Sequence, residues 1–386
     1  MNLPLLAFRN ARRNKTRTLL TVLGVTIAVF AFGFLRTVIN AYYLGAEAAA
    51  KDRLVVRNLV SLVVPLPISY HQKLERVPGV TKVATANWFG GVYLDPKNFF
   101  AQFAIESEPY LDMYPEYLIS PEEKQAYLAD RSGCLVGEKL AKKFGWKVGQ
   151  TITLQGTIFS GNWKFTLRGI YKGRDHATDT TQFFFHWKYM DESLTKDRQG
   201  QAGLFLVAIS DPDRSAEIAK AIDTTFKGST AETLTESERA FQLSFISMVS
   251  AVISALQVVS VFVLVIVALI LGNTIAMSVR ERGAEVAILK ALGFTGGRLA
   301  ALITGESALI GALGGLCGVA LAVPIIHGFG QFIEANLGSF FPVFDLDRPT
   351  TLAMLGLSVA VGLLAALLPA ARVAQLAVVD AMRRVG

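Results

Sequence analysis

The segment 278–298, SVRERGAEVAILKALGFTGGR, is short, charged and helical in pattern, and it lies between two long apolar runs. Its ionisable residues are Arg280, Glu281, Arg282, Glu285, Lys290 and Arg298. No nucleophile–base arrangement accompanies them, so the chemistry open to them is ion pairing and hydrogen bonding with another surface. Glu281 and Glu285 share a helix face at i,i+4, a like-charge pair that needs compensation. Arg280 and Arg282 can supply it locally, or a partner can. Val286, Leu289 and Leu292 form an apolar stripe suited to a groove or to a membrane surface. From Arg280 the segment reads as one helix, which Gly293 can end in the left-handed conformation. Thr295 can then cap the helix that follows.

Other chemistry-bearing residues are sparse. The sequence holds no GxxxxGK[ST] phosphate loop, no HExxH and no CxxC. The four histidines (71, 176, 186, 327) are scattered. His176 beside Asp175 and Asp179 has metal-binding residue types, but a solvated polar loop is the better reading. Cys134 and Cys317 fall in different environments and read as small apolar residues, not a disulfide. No cofactor and no catalysis are expected in this chain. An energy source, if one is used, is expected on another.

The elements that must position these residues are membrane helices. The chain has 386 residues, 52% of them hydrophobic, too apolar for a soluble protein of this size. Four stretches meet the spanning criterion of about 20 mostly apolar residues. They are Thr18 to Leu35, a part of Ala240 to Val279, a part of Leu299 to Ile333, and Thr350 to Ala371. The second run has 40 residues without a charge. As one helix it would reach about 60 Å against about 30 Å of hydrocarbon, so a stalk is expected at its outer end. Span one also continues past Arg36. Glu306 is the acid within span three; its nearness to Arg298 favours an interfacial, structural role over a transport role. Gly311, Gly314, Gly315 and Gly318 give small-xxx-small spacing twice, the signature of close helix approach. Self-association through them is expected, with packing against span one or four as the other choice.

Charge sets the orientation. Residues 39–239 carry 24 basic and 24 acidic side chains, so the net +7 arises in the membrane part. Arg9, Arg12, Arg13, Lys15 and Arg17 precede span one, and Arg372, Arg383 and Arg384 follow span four. The positive-inside rule then places both termini and the 278–298 loop in the cytoplasm, and the large domain outside. This excess needs no nucleic acid to explain it. Ala46-Glu47-Ala48 resembles a signal cleavage site but lies far behind the apolar core, so span one is read as retained.

The expected fold is an integral membrane α-helical protein with four transmembrane helices and a large extracytoplasmic α+β domain between helices one and two. The reading divides the chain into a cytoplasmic amphipathic helix (1–17), span one with its stalk (18–45) and a core domain (46–236) with a β-rich insertion near 100–175. There follow a stalk with span two (237–277), the charged loop (278–298), span three (299–333), a short outer loop (334–349), span four (350–371) and a tail (372–386). Within the core, 54–64 and 203–210 read as strands, Ser69 to Arg76 as a helix, and Asp213 as the cap of a helix ending at Phe226.

The segment 273–294, NTIAMSVRERGAEVAILKALGF, resembles the coupling region of MacB/FtsX-type (type VII) ABC transporter permeases. Asn273, Ser278, Val279, Glu281, Arg282, Glu285, Lys290, Ala291 and Gly293 match that pattern, and Val286-Ala287 replace its Ile-Gly. Glu306 with GALGGLCG is similar to the family's span three. LLPAARVAQLAVVDAMR is similar to its C-terminal signature at Pro369, Arg372, Ala381 and Arg383, with Ala377-Val378 in place of Asp-Pro. AFRNARRNKTRTLLTVLGVTIAV and GCLVGEKLAKKFGWKVGQTITL resemble its first helix and its periplasmic domain. The likeness covers essentially the whole chain.

The resemblance implies a homodimer, or a heterodimer with a closely related permease, in a bacterial inner (plasma) membrane. It also implies separate ATPase subunits that carry ATP and Mg. The ATPase-coupling residues would be Arg280, Glu281, Arg282, Glu285, Val286, Leu289, Lys290, Leu292 and Gly293. A periplasmic adaptor, an outer-membrane channel and membrane lipids are further implied partners. The leading expectation is mechanotransmission for efflux or extraction of a substrate. The others are a transducer that regulates a cell-wall hydrolase without transport, and an ATPase-independent receptor, against which the loop motif argues.

Overall fold

The computed structural model describes residues 15–175, 178–337 and 344–375, with the side chains of 44–48 and 334–337 outside the description. The amphipathic helix expected over 1–17 therefore lies almost wholly outside the described residues. So do His176, Ala377, Val378, Ala381 and Arg383. The described chain divides into two units, 1–40 with 250–330 and 344–386, and 41–249 with 331–343.

The first unit is a helix bundle. Helix α1 (Lys15–Ala48) is unbroken over 34 residues, about 50 Å at 1.5 Å per residue, and so outruns the hydrocarbon core. The bundle's other long helices are Ser250–Glu281, Gly296–Leu337 and Arg348–Gln375. All four are long and apolar enough to cross a membrane. The 250–281 helix packs by one stripe, Ile253, Ser260, Val267, Leu271 and Ile275, and leaves Val258, Phe262 and Leu269 exposed. Gly272 lets it approach the last span, because a Cβ there would sit 3.2 Å from the Ala365 carbonyl oxygen.

The second unit is an α+β domain. In chain order its strands are β1 (Arg53–Asn58), β2 (Leu66–Pro67), β3 (Val80–Trp88), β4 (Gly91–Val92), β5 (Gln102–Ile105), β6 (Tyr117–Leu118) and β7 (Gly133–Gly137). There follow β8 (Thr151–Gly156), β9 (Gly161–Gly173), β10 (Phe183–His186), β11 (Gln201–Ala202), β12 (Leu204–Ile209) and β13 (Thr233–Ser237). The main sheet runs β13-β1-β12-β3-β5-β10-β7-β9-β8-β4, with β6 on β9. Alternation splits its layers. Leu54, Val56, Phe205 and Val207 pack under Ile218, Ile222 and Phe226, while Val55, Leu206 and Ala84 pack with Tyr110 and Phe184 on the other face.

The helices here are α2 (Tyr70–Glu75), α3 (Ser107–Met113), α4 (Pro121–Ala129), α5 (Glu138–Phe144), α6 (Trp187–Ser193), α7 (Ser215–Phe226) and α8 (Glu238–Met248). The bundle helices after them are α9 (Ser250–Glu281), α10 (Gly283–Ala291), α11 (Gly296–Leu337) and α12 (Arg348–Gln375).

Several sequence expectations are corrected. Residues 100–175 form no separate insertion, since β5 pairs β3 and β10, and β10 pairs β7, within one continuous sheet. The strand expected over 54–64 ends at Asn58, whose Oδ1 accepts from the Val60 amide and turns the chain. The cap of the following 3-10 turn is Asp211, which accepts from the Asp213 amide, and α7 begins two residues after Asp213. The run 240–279 is not one helix. It breaks at Val249, whose amide bonds the Ile246 carbonyl. Ser244 and Ser247 donate to carbonyls three residues back (Phe241 and Ser244), a local competition that tightens and ends α8.

One half-buried pair makes this domain pH-sensitive. His71 Nε2 on α2 lies 3.1 Å from Glu106 Oε2, and Glu75 lies 3.7 Å from Nδ1. Glu106 raises the His71 pKa against the opposing effect of burial. Burial pulls Glu106 upward, but His71 and Thr85 prevail and hold it below its ordinary value. The His71 contribution is complete below its unfolded value of about 6.5 and is lost as pH rises through its higher folded value. The Glu106 contribution is present above about 4.3 and is lost as pH falls through its lower folded value. Thermal melts of the intact protein should thus show a stability advantage of under about 1 kcal/mol at pH 5.5 over pH 8. His71→Gln should flatten it; an unchanged slope would refute the assignment.

Candidate functional site

Charged side chains converge at the bundle end where α1 and α11 begin and α9 and α12 finish. The α9 helix carries Arg280, exposed, and ends at Glu281. Arg17 of α1 donates to Glu281. Arg282 leaves helical geometry (φ −99°, ψ 18°) and its Nη1 reaches Glu306 Oε2 of α11 at 3.2 Å. Gly283, which any helix tolerates poorly, follows directly. The segment from Arg280 is therefore two helices with a break at Arg282, not one. Lys290 Nζ donates to the Ala374 carbonyl of α12 at 3.3 Å. Polar contacts thus tie this short region to α1, α11 and α12, and α9 runs directly into it.

Helix α10 ends as a Schellman motif. Gly293 is left-handed (φ 91°), its amide bonds Lys290, and the Phe294 amide bonds Leu289. Thr295 serves the next helix through its carbonyl, which accepts from Arg298 and Leu299.

The faces of α10 differ from the sequence expectation. Val286 and Leu289 are half-buried and, with Arg282 and Glu285, line a cavity of about 50 Å3 against Ile303 and Glu306. That space suits a water molecule and nothing larger. Ala287 is buried against the bundle. The outward surface is instead Ala284, Ile288, Ala291 and Leu292, with Ile288 60% and Leu292 73% exposed. Of the expected stripe only Leu292 faces out. Ile288 was missed because three-residue spacing from Val286 and Leu289 selects the inner face. Arg282 is committed to Glu306, which it holds as a structural acid; truncating it would strand a buried carboxylate.

The glycines of α11 pack within the chain. Gly311 and Gly315 face Ser358 of α12, and Gly314 and Gly318 face Val25 and Val29 of α1. These contacts are the packing against spans one and four that the sequence left as the other choice. Ser307 Oγ also donates to the Gly362 carbonyl at 2.6 Å, so the bundle's buried hydroxyls are used for packing.

Two clusters in the second unit carry no signature in the sequence. Arg53 on β1 is 4% exposed and donates to Glu238 (2.6 Å), Glu116 (2.7 Å) and the Met113 carbonyl (2.8 Å). Ser107 Oγ, His186 Nδ1 and Tyr127 Oη meet at 2.7 Å, but Ser107 is buried, and His186 Nε2 is held by the Tyr127 carbonyl. With burial holding the His186 pKa low, that contact is a core hydrogen-bond network and not a nucleophile. Among the described residues no group of three or more His, Cys, Asp or Glu could hold a metal ion.

Comparison with known proteins adds the following. Residues 18–225 match the family model of the MacB-like periplasmic core domain, and residues 257–378 match that of the FtsX-like permease C-terminal region. An uncharacterized ABC transporter permease of Methanocaldococcus jannaschii is 24% identical over 407 aligned positions, covering 98% of this chain and 96% of the relative. The periplasmic region of MacB from Actinobacillus actinomycetemcomitans aligns at 14% identity and TM-score 0.36, over 50% of this chain and 92% of that one. The extracellular domain of the noncanonic ABC-type transporter YknZ from Gram-positive bacteria aligns at 12% identity and TM-score 0.35, over 48% of this chain and 100% of that one.

Proposed function

Because this chain belongs to the MacB/FtsX-type ABC transporter permeases, we propose that it is the membrane subunit that passes the motion of a separate ATPase to its core domain. In this reading α10 lies on the cytoplasmic face with both termini, as the positive-inside rule requires. The partner chain binds and hydrolyses ATP with Mg. Substrate is extracted from the periplasm or the outer leaflet without crossing the bundle, whose interior is packed by glycines and paired hydroxyls. A second permease chain, identical or related, completes the assembly through apolar surface such as that left open on α9.

One observation carries the reading: α10 is tied to α11 through Arg282 at its start and to α12 through Lys290, yet presents Ile288 and Leu292 to solvent. Helix-in-groove recognition uses such anchors. The test is co-purification from native membranes with Ile288→Asp/Leu292→Asp. One anchor residue contributes about 2 kcal/mol or more, so association with the nucleotide-binding subunit should weaken at least about 30-fold. Melts should stay unchanged, because both residues are exposed. Undiminished association, or no nucleotide-binding subunit with the native chain, would refute it.

A further inference from the structure

We propose that the core domain holds a binding site for lipophilic organic cations, in a cavity of about 660 Å3 between the sheet and α8. That volume lies in the range of small-molecule sites. It exists because the sheet face carrying Val55 and Leu206 is only partly covered, by Tyr110 of α3 and Phe241 of α8, while Ala86 and Ala101 beneath leave room.

The walls are aromatic. Tyr110, Tyr114 and Tyr117 form a continuous stack with ring centroids 4.5 and 5.3 Å apart, and Phe103 and Phe241 add further rings. The charged part of the lining is acidic, with five carboxylates against two guanidinium groups. Glu116 and Glu238 are bonded by Arg53, which also lies 3.9 Å over the Tyr114 ring. Asp52, Asp175 and Asp179 are the other three carboxylates and Arg174 the second cation; Asp175 accepts from Thr178, and Asp179 from Thr181 and Gln182. Burial pushes the Asp179 carboxyl upward, and a cation beside it would favour its charged form. Ring faces and excess carboxylate both favour positive charge on an apolar body. An anion would meet the same rings and an unfavourable field.

The test uses two probes of one shape and opposite charge, tetraphenylphosphonium and tetraphenylborate. Each is dialysed to equilibrium against the purified full chain, with the same neutral detergent on both sides and without nucleotide or ATPase. Its result is therefore separate from that of the coupling experiment. Tetraphenylphosphonium should bind saturably at one site per chain. Ala101→Phe, which fills the cavity, should weaken it about tenfold or more. Asp52→Asn/Asp175→Asn, at exposed positions, should weaken it several-fold at unchanged melting temperature. No saturable phosphonium binding, equal borate binding, or undiminished affinity in the acid-neutralised variant would each overturn the proposal.

Discussion

Gly311→Ala and Gly315→Ala are each expected to destabilise the bundle by about 1–3 kcal/mol, while Gly305→Ala on the same helix leaves it unchanged or stabilises it by up to about 1 kcal/mol. The sign reverses because of what an added methyl meets. At Gly311 it enters the Ser358 carbonyl and at Gly315 the Ser358 hydroxyl, whereas at Gly305 nothing lies within 4 Å. The carbonyl of a packed helix cannot swing aside, and although the hydroxyl can turn, the Ser358 Cβ 2.8 Å from the Gly315 methyl position cannot. The second pair is little softer, since Gly314 meets Val25 Cβ at 2.6 Å and Gly318 meets Val29 Cβ at 2.9 Å, atoms that the α1 backbone fixes in place. Equilibrium unfolding in mixed micelles would measure the series. Loss of an oligomer at unchanged subunit stability would mean that the glycines serve an interface between chains instead.

The spacing of these glycines was legible, but their partners were not. Residues 311 and 315 share one face, 314 and 318 another turned by about 60°, so two motifs three residues apart address two different helices. Periodicity reports that a face is close-packed; it carries no name for the neighbour. The spans were legible for a simpler reason, because only long uncharged runs can satisfy backbone polar groups in hydrocarbon. On α10 the residue types pointed to a contact helix. The inward side of that helix is fixed by Glu306, 24 residues away from Arg282, which helical spacing within the segment does not register. The core domain was least legible. Its strands are short, and the pairings of β3 with β5 and of β5 with β10 join segments whose contact depends on the whole chain.

Arg53 illustrates the same limit and gives the second large effect. It lies 185 residues from Glu238, yet the two form the clamp where the chain enters and leaves the core domain. Entry is by α1 into β1, exit by β13 into α8, and β1 and β13 are hydrogen-bonded neighbours with Leu54 opposite Ser237. Although burial opposes its charge, Glu116 and Glu238 hold Arg53 firmly ionised. Burial in turn pushes Glu238 above its ordinary range, with Arg53 pulling it back. Arg53→Met removes the cation and strands two carboxylates, which should cost about 3–5 kcal/mol. Glu238 then binds its proton more readily folded than unfolded, so the deficit is greatest at neutral pH and shrinks as pH falls through the raised folded value. Arg53→Met/Glu238→Leu should recover part of the loss, because no unpaired charge remains at that position. Melts of the intact protein between pH 4.5 and 8 would read both effects; a pH-independent deficit, or a double variant weaker than the single one, would reject the clamp. If the proposed coupling holds and the ends of β1 and β13 transmit force, the Arg53→Met chain should still bind an ATPase subunit through Ile288 and Leu292. The partner then hydrolyses ATP without moving the core domain, which separates docking from transmission.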